Sequence, residues 1–376
     1  MNIYIYLPQF PAFGDKITDG MTKAIHGLSS GLASHGVQVT ILCEGKEDNF
    51  FKSNTGYAIK CFAQKNKSHK FEVPSGLKQY ISQETKDSIV IINGIFYFKS
   101  YLLSRLCKKN AIPYIIAPHD PYHPSIFSKN AHLKWSYWYL IEKRLLQQAN
   151  AIQVLDIRHA KWLERLNIHT PAIEAPNGFS PDDVHSESLL SWTEIGIPKL
   201  LFLGRIDSHN KGLDILIDGF KEVLETIDAR LFIQGPDWGD KNKLQKRAAQ
   251  LSILEKVSFI EPNYNQSSSS IIAEYDIFCL ASRFEGFSLA ALEAMLAGRV
   301  LLVSEVAGIA HYVQASGCGV VVKPDVLSIK EGLVKLLKSR ADWKEMGLRG
   351  RRYALEHLQW NQIARNALED YKTLIK

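Results

Sequence analysis

The sequence lacks the features that mark secreted, membrane-spanning and disulfide-bonded proteins. Its five cysteines in 376 residues are odd in number, widely spaced and without a C-x-x-C pair, so neither a disulfide framework nor a zinc site is indicated. No stretch approaches about 18 consecutive apolar residues, and residues 2–7 are typical of a buried strand rather than of a basic, cleavable leader. We therefore expect a cytoplasmic protein with reduced cysteines.

Two common ligand signatures are also missing. No G-x-G-x-x-G follows the first predicted strand, which argues against a dehydrogenase that binds a dinucleotide. No D-x-D segment offers a pair of carboxylates to a divalent metal. The sequence therefore gives no reason to expect a metal site.

The charge of the chain is unevenly distributed. Residues 1–180 contain 21 Lys and Arg against 13 Asp and Glu, whereas residues 181–376 contain 24 against 26. A basic half suggests attraction to anionic lipid, an acidic polymer or nucleic acid. Because the lysines are scattered and no nucleic-acid motif is present, we expect no nucleic acid partner.

Short apolar runs alternate with helical patterns along most of the chain, whose length and 46% hydrophobic content suit two domains. The alternation predicts parallel βαβ units and restarts after a turn at 176–181. We predict an α/β fold of two doubly wound, Rossmann-like parallel-sheet domains, 1–180 and 181–355, with a C-terminal helix in 356–376 that packs back towards the first. The predicted strands are 3–7, 37–43, 89–92, 114–117, 151–154, 200–203, 229–234, 257–260, 277–280 and 300–303.

A single carboxylate stands out in the apolar segment 282–298. If a helix begins near Ser288, an acceptable N-cap residue, then Glu293 is its only charged residue and lies on a stripe of leucines. An unpaired charge on a buried face would cost several kcal/mol. Two explanations stay open: a salt bridge to a base such as Arg283 or Arg299, or a bound ligand.

A second set of polar residues follows the strand predicted at 200–203. Arg205 lies at the carboxyl end of this strand, where ligands bind in doubly wound folds. Lys211 lies at the start of the next predicted helix, where its charge is unfavourable unless an anion compensates it. Two cations with free backbone amides make a phosphate site. The alternative is a solvated Lys211 and an Arg205 paired with Asp207 or Asp214.

These two segments together resemble a known enzyme family. Residues 204–212 begin Gly-Arg and end Lys-Gly, and residues 285–298 contain Glu-Gly-Phe-Ser, then Glu-Ala-Met, then Gly. The combination, with its E-x7-E spacing, is similar to the C-terminal domain of retaining glycosyltransferases of family 4. The resemblance implies the GT-B fold, in which two Rossmann-like domains face an interdomain cleft. Similar segments elsewhere are Gly20 with the helix after it, Ala117-Pro118-His119, Pro176-Asn177-Gly178 and 304–308.

The resemblance implies a role for each polar residue. Glu293 would accept hydrogen bonds from the two ribose hydroxyls of a nucleotide, and Glu285 would contact hydroxyls of the donor sugar. Arg205 and Lys211 would stabilise the diphosphate as the glycosidic bond breaks, so no metal and no other cofactor is expected. The implied catalytic residues are His119, Arg205, Lys211 and Glu285, and the implied donor-binding residues are Gly20, Gly204, Gly286, Phe287, Ser288, Leu289 and Glu293.

The first domain contributes two further expectations from the resemblance. The family places a backbone amide near the phosphates, here within 14–20, and a histidine near the sugar, which matches His119. A lone histidine is more often structural, but this one follows a predicted strand in a Pro-His-Asp sequence that favours a loop at the site. The chain has Asp19 before Gly20, where many relatives have a pair of glycines.

The leading hypothesis is therefore an enzyme. It would transfer a hexose-type sugar from a UDP- or GDP-sugar to a hydroxyl of a glycan or lipid-linked acceptor, with retention at the anomeric carbon, in cell-envelope, exopolysaccharide or glycolipid biosynthesis. A second hypothesis is a catalytically silent nucleotide-sugar-binding partner of another transferase. The presence of all four donor-site charges favours the enzyme.

Residues 132–146 bear on the location of the protein. Aromatic side chains beside cations are typical of a bilayer interface, but they also suit a helix whose aromatics pack beneath the sheet. The first alternative predicts that the basic domain rests on anionic lipid, as a peripheral protein on the inner face of the membrane. The segment contains Lys134, Trp135, Tyr137, Trp138, Tyr139, Lys143 and Arg144.

Overall fold

The structure is a computed structural model in which the chain forms two compact units. Unit 1 comprises Met1–Gly178 and Trp360–Lys376, and unit 2 comprises Phe179–Gln359. Each unit is built on its own sheet. The residues that the structure describes are 1–11, 19–64, 71–83, 87–120, 122–128, 130–184, 186–187, 190–192 and 195–375.

Unit 1 contains an eight-stranded sheet. Its strands are β1 (Asn2–Tyr6), β2 (Gln38–Gly45), β3 (Asn49–Lys52), β4 (Ala58–Ala63), β5 (Ser88–Asn93), β6 (Tyr114–Ala117), β7 (Ala151–Val154) and β8 (Ala172–Glu174). They lie in the order β3-β4-β2-β1-β5-β6-β7-β8, and neighbours pair in parallel except β3 and β4, which are antiparallel at one edge. The strands β5 and β6 are buried throughout, as expected where both faces of a sheet are covered.

The helices of unit 1 include one from the end of the chain. They are α1 (Gly20–Ser34), α2 (Ser75–Ser82), α3 (Phe98–Lys109), α4 (Ala131–Tyr137), α5 (Lys143–Gln147), α6 (Ala160–Arg165) and α15 (Trp360–Thr373). A π-helical turn, Trp138–Glu142, joins α4 to α5. Helix α15 packs closely on α1. The absence of a side chain at Gly31 permits this, because a Cβ there would lie only 2.6 Å from the Trp360 carbonyl oxygen.

Unit 2 contains a six-stranded sheet with parallel neighbours. Its strands are β9 (Lys199–Leu203), β10 (Arg230–Gln234), β11 (Val257–Ile260), β12 (Ile277–Leu280), β13 (Val300–Ser304) and β14 (Gly319–Val322). Their order is β11-β10-β9-β12-β13-β14. Its helices are α7 (Ser208–Lys211), α8 (Leu213–Leu224), α9 (Lys241–Gln250), α10 (Ser268–Ile272), α11 (Leu289–Leu296), α12 (Ala310–Ser316), α13 (Val326–Lys338) and α14 (Trp343–His357).

The predicted fold class of two parallel-sheet α/β units is confirmed. All ten predicted strands are present, and the prediction missed β3, β4, β8 and β14. Three of the missed strands, β3, β8 and β14, lie at sheet edges. The short β3 and β8 contain polar residues and lack a continuous apolar run, whereas β14 (Gly-Val-Val-Val) has one that the prediction overlooked. The prediction of wholly parallel pairing is wrong for β3, whose four residues are mostly exposed.

Candidate active site

The candidate site in unit 2 lies at the point in the sheet where the strand order changes direction, between β9 and β12. Strands β9 and β12 are neighbours, and the chain leaves β9 towards one edge and β12 towards the other. In open α/β sheets, ligands bind beside the carboxyl ends of strands at such a switch point. Nine predicted residues lie in the segments that leave these two strand ends or in the helix that follows: Gly204, Arg205, Lys211, Glu285, Gly286, Phe287, Ser288, Leu289 and Glu293.

The loop after β9 runs beside the loop after β10. The Gly204 N–H donates to the Gln234 carbonyl at 3.0 Å, and a Cβ at Gly235 would lie 1.9 Å from the Gly204 carbonyl oxygen. This close approach places the Trp238 ring beneath Arg205, with the guanidinium carbon 4.4 Å from the ring centroid. Arg205 is exposed, and its guanidinium makes a cation–π contact with the indole of Trp238.

Glycine also fixes the position of Lys211. Gly212 has φ 63°, and a Cβ there would lie 2.2 Å from the carbonyl oxygen of Ala281, the residue after β12. The short helix α7 is capped by Asp207, whose carboxylate accepts hydrogen bonds from the Asn210 backbone N–H at 3.1 Å and side-chain amide at 2.7 Å. Lys211, at the end of α7, is thereby held against the loop that follows β12.

Lys211 and Glu285, 74 residues apart, form the central contact of the site. The Lys211 Nζ lies 2.5 Å from the Glu285 Oε2, and the Ser282 hydroxyl donates to the same oxygen at 3.3 Å. Only 16% and 11% of the two charged side chains are exposed, so the pair is largely removed from water. The alternative of a solvated Lys211 is therefore wrong, because its compensating anion is Glu285.

A second ion pair joins the same two segments of the chain. The Arg283 guanidinium donates two hydrogen bonds of 2.8 Å to the Asp214 carboxylate and one of 3.1 Å to the Ser208 carbonyl. Burial alone would raise the pKa of Asp214, but the hydrogen bonds and charge of Arg283 outweigh it, so this pKa lies below its usual range. Since Asp214 pairs with Arg283 and Asp207 caps α7, neither is the Arg205 partner that the alternative required.

The helix α11 begins as predicted. Ser288 is its N-cap, and the Ser288 hydroxyl accepts a hydrogen bond from the Ala291 N–H at 3.2 Å. The preceding residues Glu285 and Gly286 pair with the loop after β13, where the Gly308 N–H donates to the Gly286 carbonyl at 3.2 Å. The first N–H groups of α11 leave a partial positive charge at this end of the helix, beside the Glu285 loop.

Glu293 is buried in the middle of α11, with 9% of its surface exposed. The guanidinium of Arg283 is engaged by Asp214, and that of Arg299 donates to the carbonyls of Ala297 and Tyr275. Glu293 nevertheless has an interaction with another group of the protein. A structural role for this carboxylate therefore stays open beside its predicted role in binding a ribose.

In unit 1, His119 follows β6 and contacts Asn93 at the end of β5, which in turn contacts the end of β1. Its Nε2 lies 2.7 Å from the Asn93 Oδ1, and the Asn93 amide donates to the Tyr6 carbonyl at 3.0 Å. His119 has φ 62°, a left-handed conformation that is uncommon outside glycine. Histidine is among the residue types that adopt this conformation more often, so the backbone alone does not distinguish a functional from a structural role, and the predicted role stays a prediction.

These contacts define the protonation state of His119. Because the Asn93 amide nitrogen donates to Tyr6, its oxygen faces the imidazole, so the His119 Nε2 carries the proton and donates. Burial lowers the pKa of His119 to about 4, and the nearby Asp19 carboxylate offsets this only in part. The imidazole is therefore neutral near pH 7, with the Nδ1 lone pair as a hydrogen-bond acceptor.

Gly20 is the first residue of α1. The Asp19 carboxylate caps the helix by accepting a hydrogen bond from the Thr22 N–H at 2.9 Å. The backbone amide expected within 14–20 falls largely on residues 14–18, which lie outside the described residues. At Asp19 and Gly20 the structure shows a capped helix start close to His119.

Several residues of the two sites were not predicted from the sequence. Asn93 ends an apolar strand, so the rule that ligands lie at carboxyl strand ends would have found it. Ser282 lies within the apolar segment 282–298, but the contact of its hydroxyl with Glu285 depends on the fold. No sequence signal pairs Arg283 with Asp214, because their contact depends on the approach of Gly212 to β12.

The described part of the chain has no group of three or more His, Cys, Asp and Glu side chains that could hold a metal ion. Within the same residues, no helix has both the length and the apolar content needed to cross a bilayer.

Comparison with known proteins gives matches to both halves of the chain. The model of the family described as Glycosyltransferase Family 4 matches residues 18–183, and that described as Glycosyl transferases group 1 matches residues 196–353. The phosphatidyl-myo-inositol mannosyltransferase of Mycobacterium leprae is 27% identical over 230 residues, which are 59% of this chain and 59% of that protein. The chain thus spans about three fifths of the length of this curated relative.

Solved structures show the fold. Sucrose-phosphate synthase from Thermosynechococcus elongatus superposes with a TM-score of 0.79 at 16% identity, covering 99% of this chain and 98% of that one. The Anabaena protein HepE in complex with UDP and glucose gives 0.72 at 13% identity, covering 99% and 100%. The fold is therefore GT-B, and with family matches in both units the chain belongs to the family 4, group 1 glycosyltransferases.

Proposed function

We propose that the chain is an active glycosyltransferase that moves a hexose from a UDP- or GDP-sugar to a hydroxyl of a glycan or lipid-linked acceptor, with retention of the anomeric configuration and without a divalent metal. The observation that supports this most strongly is the Lys211–Glu285 pair at the switch point of unit 2. It puts a cation for phosphate and a carboxylate for sugar hydroxyls next to each other, as cleavage of a sugar–phosphate bond requires.

Negative charge builds on the leaving diphosphate as its bond to the sugar breaks. Lys211 and Arg205 supply two positive charges, and the N-terminus of α11 adds the partial charge of its free N–H groups. Because Lys211 is held by Glu285 and Arg205 by Trp238, both cations are positioned before the charge develops. These groups would do the work that a divalent cation does in other transferases.

The same arrangement suits retention without a covalent sugar–enzyme intermediate. The Glu285 Oε2 already accepts hydrogen bonds from Lys211 and Ser282, which lowers its reactivity as a nucleophile. We assign Glu285 to orienting sugar hydroxyls, and the neutral His119 to accepting a hydroxyl hydrogen bond at its Nδ1. The acceptor hydroxyl would then attack from the face that the diphosphate leaves.

The names of similar proteins support the substrate classes. The relative from M. leprae is a mannosyltransferase named for phosphatidyl-myo-inositol, a lipid, and the HepE structure holds UDP and glucose. By analogy, the chain would take a nucleoside-diphosphate hexose and act in glycolipid, exopolysaccharide or cell-envelope synthesis. Glu293 would hold the ribose diol of the donor nucleotide.

Donor binding and turnover test the proposal in turn. Isothermal titration with UDP- and GDP-hexoses should find one donor that binds wild type and a Lys221→Ala control, and binds Glu293→Ala at least tenfold more weakly. Lys221 is a half-buried lysine of the same unit that pairs with Glu225. Equal donor affinity in Glu293→Ala and wild type would contradict the assignment.

The proton NMR spectrum of the product should show the same anomeric configuration as the donor, and EDTA should leave the rate unchanged. Slow hydrolysis of the bound donor without acceptor should also be detectable. Donor binding without hydrolysis or transfer to any acceptor would favour the catalytically silent partner instead. Inversion of configuration, or loss of rate in EDTA, would each overturn its part of the proposal.

A further inference from the structure

The aromatic and basic segment of unit 1 is neither wholly buried nor wholly exposed. Trp138 is 1% exposed and packs in the core, whereas Tyr139 and Leu140, the next two residues, are 68% and 75% exposed. Leu133, one helix earlier, is 62% exposed. One side of the segment is therefore packed in the core, and the other presents large apolar side chains to solvent.

A buried carboxylate holds this segment in place. Glu142 ends the π-helical turn, is fully buried, and accepts hydrogen bonds from the Tyr122 hydroxyl at 2.6 Å and the Phe96 N–H at 3.1 Å. Tyr139 and Leu140 lie within this turn, between buried Trp138 and buried Glu142, so both side chains are held on the exposed side.

A cationic pocket lies at the end of the same segment. Its volume is about 300 Å³, enough for a small ligand group, and it opens between the C-terminal ends of α3 and α5. These helix ends lead into the starts of β6 and β7, whereas His119 follows the end of β6. The pocket therefore lies at the amino ends of these strands, opposite the carboxyl ends where His119 lies. It is lined by Tyr101, Arg105, Lys108, Lys109, Arg144 and Gln148.

The pocket has an excess of positive charge that the surrounding protein does not neutralise. Among the described residues, no carboxylate pairs with any of its four cations. The two helix C-termini supply about half a negative charge each, which leaves most of the four positive charges uncompensated. In sequence, residues 99–150 contain eight Lys and Arg and only two acids, of which Glu142 is buried.

Apolar and cationic side chains are arranged along common helix faces. Leu140 and Arg144 are four residues apart in one helical segment, as are Tyr101 and Arg105 in α3, so each pair lies on one face. A surface that places exposed apolar side chains beside a cationic pocket matches the boundary of a bilayer, where acyl chains meet phosphate groups. A soluble anion would need the pocket but not Tyr139 and Leu140.

We propose that this pocket binds the phosphate group of an anionic phospholipid, and that Tyr139 and Leu140 insert beside it into the same bilayer. Unit 1 would then rest on a membrane by a surface remote from His119. This assignment rests on the exposure and charge of unit 1 and holds whatever the acceptor of the transferase is.

Vesicle flotation tests the proposal. The wild-type chain should float with vesicles of phosphatidylcholine mixed with phosphatidylglycerol and not with phosphatidylcholine alone, and salt should weaken the binding. Each cation near an anionic surface contributes roughly fivefold to binding, so Arg105→Gln/Lys108→Gln/Arg144→Gln should bind on the order of 100-fold more weakly. Tyr139→Ser/Leu140→Ser should also lose binding while the pocket remains intact.

A matched control variant removes three positive charges from unit 2 instead of from the pocket. Lys221→Gln/Lys256→Gln/Lys330→Gln, on unit 2, should float like wild type and should show how much of the effect is net charge alone. Equal losses in the two triple variants, or flotation unchanged in the pocket variant, would overturn the proposal. Circular dichroism checks folding, and the single variants Arg105→Gln and Arg144→Gln serve if the triple variant does not fold.

Two further readouts separate this proposal from its competitors. Donor hydrolysis should be unchanged in the pocket variant, so a loss of flotation with full hydrolysis places the defect in membrane binding and not in the transferase site. Glycerol 1-phosphate should raise the melting temperature of the wild type only slightly. If it stabilises the protein strongly through Arg105 while anionic vesicles do not bind, the pocket takes a soluble phosphate and the lipid assignment is wrong.

Discussion

The carboxyl strand ends of the two units offer different chemistry. In unit 2, the side chains at the switch point are charged and paired: Lys211 with Glu285, and Arg283 with Asp214. In unit 1, the ends of the central strands β6, β5 and β1 are joined by neutral hydrogen bonds from His119 through Asn93 to the Tyr6 carbonyl. The ion pairs of this unit lie further out, at the ends of β2 (Lys99 with Glu44) and β7 (Arg158 with Asp156). Both sites use the same sheet architecture.

This difference indicates how the two units divide the work. Paired charges tolerate burial and remain positioned, so unit 2 suits a ligand that brings its own charge, such as a diphosphate. A neutral imidazole with a fixed tautomer suits an uncharged hydroxyl. Two kinds of change test this division of work: the removal of charge from unit 2 and the addition of charge to unit 1.

The largest effect is expected from Lys211→Met. It removes a cation from the developing charge and leaves Glu285 buried without its partner, so kcat/KM should fall about 100-fold or more and stability by about 3 kcal/mol. Adding Glu285→Gln should restore the stability measured by urea unfolding but not the activity. Recovery of activity in the double variant would mean that the pair has only a structural role.

Low pH should lower the folding stability of unit 1 by protonating His119. Its folded pKa of about 4 is below the ordinary value of 6.5, so the unfolded chain binds the proton first as the pH falls. The stability from neutral His119 is complete above pH 6.5 and is lost between 6.5 and about 4, a loss of about 3 kcal/mol.

The matched variant is His119→Asn, because Asn tolerates the left-handed conformation and does not titrate. Urea unfolding at several pH values should show a shallower decline for this variant between pH 6.5 and 4. Parallel curves for the two proteins would show that the folded pKa is not depressed.

Glycine packing should matter more at the site than on the surface. Gly212→Ala meets both a left-handed backbone and the Ala281 carbonyl, whereas Gly239→Ala, at φ 98°, has no atom within 4 Å of its Cβ. The first should therefore be about 2 kcal/mol less stable than the second. Thermal melts of both variants make the comparison, and equal melting temperatures would refute the close approach of Gly212 to β12.

The smallest effect is expected at Arg205. Arg205→Lys keeps the charge but loses the planar stacking on Trp238 and the two-pronged hydrogen bonding, so the donor Kd should rise about five- to tenfold. Arg230→Lys, at an exposed position that begins β10, should leave it unchanged. Isothermal titration measures both, and an unchanged Kd for Arg205→Lys would remove this residue from the donor site.

The central strands and the start of α11 could be predicted from sequence because long apolar runs and the Ser288 cap are local signals. The short edge strand β3 could not, since only one of its four residues is even half-buried. At the site, the pattern of Lys211 and Glu285 indicated a ligand, but their direct contact depends on Gly212 lying against β12. Residue types were predictable, whereas pairing partners required the fold.

Hydrogen exchange of the intact chain with and without UDP, GDP and their hexose conjugates tests the central claim most directly. We predict that the donor which binds by calorimetry slows exchange in 204–212 and 282–293 of unit 2, where Arg205, Lys211, Glu285 and Glu293 lie. Protection confined to unit 1, or the absence of binding by every nucleoside diphosphate tested, would contradict the assignment of unit 2 as the donor site.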